Sequence, residues 1–335
     1  MVAQAMGVFT YELPSCILLR FAVCMESPIA HESETMQEHQ ASRTAQYAAS
    51  FRALEDVRRP ARVRLFADPF AVQFLAVRYR RIVRVASWPL LGPAVRRLVE
   101  WRYPGAMTSG IARTRLIDDF LHEALRDGIK QIVILGAGFD CRAWRMPELA
   151  DCRIIEVDHP ATQALKRERL EKIGAAIPPS LTFAAIDFTR QRLDEVLAAT
   201  SFDPHQRSFV LWEGVTHYLG ERAVDQTLRT IAAVTEPGSR LVFTYLHRGL
   251  IDGTMTFAGA RSSQRQVAGH REPWIWGMMP AELPDYLAER GFTLLEDLGA
   301  DDYRARYWGE RGRRMRGFSF YRVALAEMGV DEMTA

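Results

Sequence analysis

The chain has 335 residues, 48% apolar and 25% charged, the make-up of a globular protein with ample core. Its 43 basic and 41 acidic side chains leave a formal charge of +2, which excludes a polyelectrolyte and argues against nucleic acid as a partner. Four cysteines, Cys16, Cys24, Cys141 and Cys152, form no CxxC pair and have no histidine at metal spacing, so reduced thiols in a cytoplasmic protein are expected and a metal site is not.

Val8 to Val23 is apolar but is interrupted by Glu12, Pro14 and Arg20. It is shorter than the roughly 20 residues of a membrane-spanning helix and lacks the flanks of a secretory signal. Residues 26–40 are polar and linker-like, so residues 1–40 are expected to be a loosely ordered extension, with Met36 a possible alternative start. From 41 to 110 the chain reads as a basic helical cap. A first helix stops at Pro60, and Asp68-Pro69 makes a turn into the next helix. Two further apolar helices carry Arg78, Arg80, Arg81, Arg84, Arg96, Arg97 and Arg102, broken by Trp88-Pro89 and Gly92-Pro93. Such helices either lie on a membrane or acidic partner, or turn a solvated arginine face outward. A cap beside a cofactor site also suits a lid that excludes water.

The main domain is expected over 111–327. Ala112 to Gly128 has a helical apolar stripe, Leu116, Ile117, Phe120, Leu121, Ala124 and Leu125, and a glycine stop. Strands are predicted near 132–135, 153–157, 181–186, 208–213, 240–246, 292–298 and 317–325, and helices near 160–173, 190–199, 221–235 and 280–290. That alternation specifies an α/β class with a doubly wound, mostly parallel seven-stranded sheet. The residues between 297 and 318 are read as a basic surface loop.

The first strand ends at Gly136-Ala137-Gly138, a turn that lets a ligand approach the backbone, and the second ends in Asp158, placed for ribose hydroxyls. Cys141 stands where a dinucleotide-binding GxGxxG turn would have its third glycine. The phosphate cradle is then lost while the backbone approach survives, which favours S-adenosylmethionine over a dinucleotide. Asp187 ends the third strand, where it could receive the adenine amino group, with Phe188 beside it for the ring. Glu213 ends the fourth. Two other readings remain open on these residues: an NAD(P)-dependent oxidoreductase on a Rossmann-like fold, and a non-catalytic cofactor-binding scaffold.

The segments LGAGFDCRAWRM, EVDHP, AIDF and WEGVTHYL, in this order after ARTRLIDDF, resemble the leucine carboxyl methyltransferase family of class I S-adenosylmethionine-dependent enzymes. The likeness covers about residues 41–325 and is closest to the bacterial branch of uncharacterised and natural-product O-methyltransferases. The resemblance implies that Arg113 pairs with the methionyl carboxylate and Glu213 lies near the methionyl amine. Gly136 admits the backbone with Gly138 completing the turn, Asp158 takes the ribose, Asp187 and Phe188 flank adenine, and Arg43 closes over the cofactor. A zwitterionic ligand end does call for one buried cation and one buried anion, and Arg115 is the rival to Arg113 for the first.

The expected reaction is direct in-line methylation of a carboxylate or hydroxyl of a small molecule, natural products included. A carboxylate, with a pKa of about 4, needs no base, whereas a phenol, near about 10, benefits from one. His217, with Tyr218 beside it, is the candidate base or else a pocket residue. Residues 246–280 are long for a connection and are expected to bind the acceptor, with Tyr245, His247, His270, Trp274 and Trp276 as lining candidates. Trp274 and Trp276 read equally well as core anchors.

Overall fold

Gln131–Leu135 (β1) is buried at every position and is an interior strand of a seven-stranded sheet in the computed structural model, which describes residues 43–58, 60–187, 191–260 and 273–329. The other strands are Arg153–Asp158 (β2), Leu181–Ala185 (β3), Ser208–Trp212 (β4), Arg240–Leu246 (β5), Phe292–Leu298 (β6) and Tyr321–Met328 (β7). Their order is β3-β2-β1-β4-β5-β7-β6, and β7 alone runs opposite to the other six. This is the expected Rossmann-like class, and all the described residues belong to one compact unit, Gln40–Ala335.

Period-two alternation along short, β-branched strands explains burial on both faces. Val133, Leu135, Ile155, Val157, Val210, Trp212 and Phe243 pack on one side with Val224, Leu228 and Ile231 of the helix Glu221–Val234. Ile132, Ile134, Ile154, Phe209, Leu211 and Val242 face the other side, against Leu116, Ile117 and Phe120 of Ala106–Arg126. With β2 on one flank of β1 and β4 on the other, successive crossovers diverge at the carboxyl ends of these strands and leave a crevice there.

In chain order the principal helices are Arg43–Asp56 (α1), Val77–Ala86 (α2), Gly92–Arg102 (α3), Ala106–Arg126 (α4), Pro160–Lys172 (α5), Leu193–Ala198 (α6), Glu221–Val234 (α7), Leu283–Ala288 (α8) and Ala300–Gly312 (α9). Helix α4 starts six residues before the predicted 112, because Gly105, at φ +84°, turns the chain directly into it. Helix α9 replaces the predicted surface loop. Asp302 accepts the Gly299 N–H at 2.8 Å, Tyr303 is buried, and Tyr307 donates to Asp119 at 2.7 Å, anchors that the surrounding arginines obscure in the sequence. The last strand starts later than 317, since Phe318 and Phe320 stack on each other and pairing begins at Tyr321 opposite Leu246. No helix among the described residues is long and apolar enough to cross a membrane.

Candidate active site

The glycine turn closes β1 against β2: Gly136 and Ala137 donate to the Val157 carbonyl at 2.8 and 3.2 Å. Gly136 and Gly138 have φ of +65° and +51°, a left-handed conformation that glycine adopts without penalty. A Cβ on Gly136 would stand 2.3 Å from Val215 Cγ2, and one on Gly138 3.3 Å from Ala45 Cβ of α1. The turn is therefore gripped between the segment after β4 and the first helix.

Asp158 accepts the Gly138 N–H through one oxygen, at 2.5 Å, and the His159 N–H through the other, at 2.6 Å. Burial raises its pKa, against the pull of those two amides. Each oxygen retains a lone pair for a ligand hydroxyl. Asp187, just past β3, is locked by Gln191, whose side-chain oxygen accepts the Asp187 N–H and whose own N–H reaches the Asp187 carbonyl, each at 2.9 Å. Phe188, His270 and the side chain of Arg43 lie outside the described residues; Arg43 itself opens α1.

Arg113, two turns into α4, donates to Glu213 at 2.7 Å. Its guanidinium also lies 4.6 Å from the Tyr321 ring centre. Arg142, 3% exposed, reaches the second oxygen of Glu213 at 3.6 Å and donates to Asp118 at 2.8 Å and to Asp140. Burial works to raise Asp140, but Arg142, Lys166 and Arg52 prevail and hold it down at about 2. Arg115, the rival of Arg113, turns away to Asp119 at 2.8 Å and the Leu65 carbonyl at 2.6 Å. A cation beside a carboxylate, their side chains 15% and 20% exposed, is what a zwitterionic ligand end requires, and Gly136 supplies the approach that a side chain would obstruct. The residues present fit S-adenosylmethionine.

Residues 45–232 match the family model for leucine carboxyl methyltransferase. The chain belongs to the leucine carboxyl methyltransferase family. It is similar to YktD of Bacillus subtilis, 30% identical over 209 residues, 62% of this chain and 68% of that one. A Streptomyces coelicolor relative is 34% identical over 226 residues, 66% of this chain and 75% of the other. Both are named for an inferred S-adenosyl-L-methionine-dependent methyltransferase activity. Among solved structures, a DUF574-family protein from Streptomyces avermitilis superposes with a TM-score of 0.56 at 14% identity, over 87% of this chain and 99% of that one, which speaks for the fold. The protein is an S-adenosylmethionine-dependent methyltransferase.

In this leucine carboxyl methyltransferase relative, His217 within the matched region and residues that follow that region meet beside the end of β4. His217 sits in a 3-10 turn, Thr216–Tyr218, directly after β4 and is 2% exposed. Its carbonyl accepts the N–H of Ile275 at 2.8 Å, so residues 273–278 return beside it. Its ring lies 4.2 Å from Tyr218, 5.5 Å from Tyr321 and 6.0 Å from Trp274. Burial, seconded by Arg113, pushes the imidazole down to about 3. His217 Nδ1 and Trp274 Nε1 are both buried without a hydrogen-bond partner among the described residues.

The remaining acceptor candidates are placed elsewhere. Tyr245 is wholly buried and gives its hydroxyl to Asp297 at 2.8 Å, so it is a core residue between β5 and β6 and not part of an open wall. The sequence places Tyr245 at the end of a strand but does not show that Asp297 of β6 takes its hydroxyl. His247 caps the short turn Arg248–Ile251, accepting the Gly249 N–H at 3.1 Å, and packs 5.1 Å from Phe257. Trp276 anchors the core beside Tyr286.

Sequence reasoning missed a buried ion network. Arg52 of α1 pairs with Asp68 at 2.8 Å and donates to the Phe139 carbonyl in the glycine turn. Arg145 joins Asp118 at 2.7 Å and approaches Asp68 at 3.9 Å. The available signal was two arginines, Arg142 and Arg145, within seven residues of Gly138, where a surface helix would have served as well.

Proposed function

We propose that this methyltransferase acts on a carboxylate oxygen of a small organic acid bearing an aromatic or other flat apolar body. The state of His217 carries the reading. A buried imidazole held at about 3 beside a guanidinium is too weak a base to take a proton from a hydroxyl. A carboxylate is already ionised at neutral pH and asks for no base. The ring wall of Tyr218, Trp274 and Tyr321 suits a flat body, and the Trp274 N–H, which has no partner among the described residues, is a donor for one acceptor oxygen.

Bound S-adenosylmethionine would supply a methyl group activated by positively charged sulfur. In this reading Arg113 and Glu213, steadied by Arg142, hold its amino-acid end. Gly136 and Gly138 admit it, Asp158 takes the ribose hydroxyls, and Asp187 and Phe188 flank adenine. Of the cap, helix α1 meets the site: Ala45 sits against Gly138 and Arg52 bonds the turn, while Arg43 stands at the start of the same helix. The protein then contributes alignment and exclusion of water. His217 and Tyr218 line the acceptor side, together with residues from 246–280.

The test is the alkali lability of product labelled with a radioactive methyl group from an extract of small acids. A carboxyl ester releases labelled methanol in mild base. Label retained as an ether would overturn the carboxylate assignment.

A further inference from the structure

Helices α2 and α3 carry a surface that the methyl-transfer site does not use. Between Val77 and Arg102 there are seven arginines and a single acid, Glu100. That acid is occupied, accepting the Gly105 N–H at 2.7 Å. Arg96 is turned inward to Glu55, and Arg80 donates to the Leu75 and Gln73 carbonyls. Arg78, Arg81, Arg84 and Arg97 are exposed, and among the described residues no carboxylate pairs with any of them.

Large apolar side chains stand out among these charges. Trp88 is 61% exposed, Leu90 90% and Trp101 71%. Val77, Arg81 and Arg84 follow at intervals of four and three along one stripe of α2, and Arg97 and Trp101 at four along one stripe of α3, while Trp88 and Leu90 stand in the turn that joins the two helices. Ile82, Val83 and Ala86 of α2 and Val95 and Val99 of α3 are buried on the opposite sides, so both stripes lie on the outside of the pair. Exposing two tryptophans and a leucine to water is unfavourable, and burying them beside unpaired guanidinium groups requires an occupant that is apolar inside and anionic at its surface.

We infer that this outer face of α2 and α3 seats the enzyme on an anionic lipid bilayer, with Trp88 and Leu90 entering the interface and Arg81, Arg84 and Arg97 meeting the headgroups. Tryptophan favours the headgroup level, where its ring is in an apolar layer and its N–H is wet. Basic side chains are held there by the surface potential of anionic lipids. A second copy of the chain is a poor occupant, since a two-fold contact would set the same unpaired arginines against each other.

The full-length chain should co-sediment with vesicles of phosphatidylcholine containing phosphatidylglycerol, release at high salt, and leave vesicles of phosphatidylcholine alone unbound. Each arginine removed should weaken partitioning roughly fivefold, so Arg81→Glu/Arg84→Glu/Arg97→Glu should cost on the order of a hundredfold or more. Trp88→Ala/Leu90→Ala should also weaken it, while cofactor binding by calorimetry stays at the parent level in both variants. The inference is overturned if anionic and neutral vesicles bind alike, or if the charge-reversed variant binds anionic vesicles as well as the parent. It is equally overturned if vesicles stay unbound while the patch variants change the protein's mass by light scattering, which would identify a second copy as the occupant.

Discussion

Replacing His217 with phenylalanine should remove a pH-dependent part of this protein's stability. In the unfolded chain the imidazole titrates near its ordinary value of about 6.5. In the fold, burial and then Arg113 hold it at about 3. Below the upper value the unfolded chain takes up a proton that the native state refuses. The contribution is therefore complete above that value and is lost as pH falls toward the lower one, at about 1.4 kcal/mol per pH unit. Between about pH 7.5 and about pH 5 the loss amounts to roughly 2 kcal/mol. Phenylalanine keeps a ring against Tyr218, Tyr321 and Trp274, and Nδ1 makes no hydrogen bond to the described residues that the change would forfeit. Urea unfolding of the parent and of His217→Phe at both pH values gives the difference directly, whatever fixed cost the substitution carries. The parent should lose more stability on acidification than the variant, by that amount. Parallel losses in the two proteins would mean an ordinary histidine, and the case against proton transfer at this position would fall with it.

Arg113→Ala should weaken S-adenosylmethionine binding by on the order of 3 kcal/mol, more than a hundredfold, because the partly buried Glu213 then faces a charge-balanced ligand with one of its two arginine partners gone. Arg115→Ala, whose parent side chain faces Asp119, should stay within roughly threefold; calorimetry on the pair that shows equal losses would refute the assignment. Gly136→Ala should lower cofactor affinity and cost about 1–2 kcal/mol of stability for its left-handed backbone, before the contact with Val215 is added. Adding Val215→Ala should recover only the contact, and full recovery of stability would show the backbone to be unstrained. Glu156 is buried with Lys166 at 2.5 Å, and burial raises its pKa despite that partner. Its contribution is thus greatest in acid and declines as pH rises toward neutrality, opposite in sign to that of His217. Glu156→Gln should flatten this decline in thermal melts, and an unchanged slope would contradict the raised value.

The glycines, the acids at successive strand ends and the alternation of apolar runs are local patterns, and the sheet follows them strand by strand. Asp158, Asp187 and Glu213 were legible because a parallel sheet delivers the carboxyl ends of neighbouring strands to one edge, so position in a strand already implies position in space. Helix α9 was not, because its anchors, Tyr303 and Tyr307, act through the distant helix α4 while arginines dominate its own composition. The inward turn of Tyr245 likewise depended on Asp297, fifty-two residues away. By itself, the order of residues determined the fold class and a donor with a ribose and no phosphate cradle. Only tertiary structure decided which arginine meets Glu213, and that His217 is dry and stripped of basicity. Pairing of charges and loss of hydration depend on what the rest of the chain packs around a group, and neither quantity is local to it.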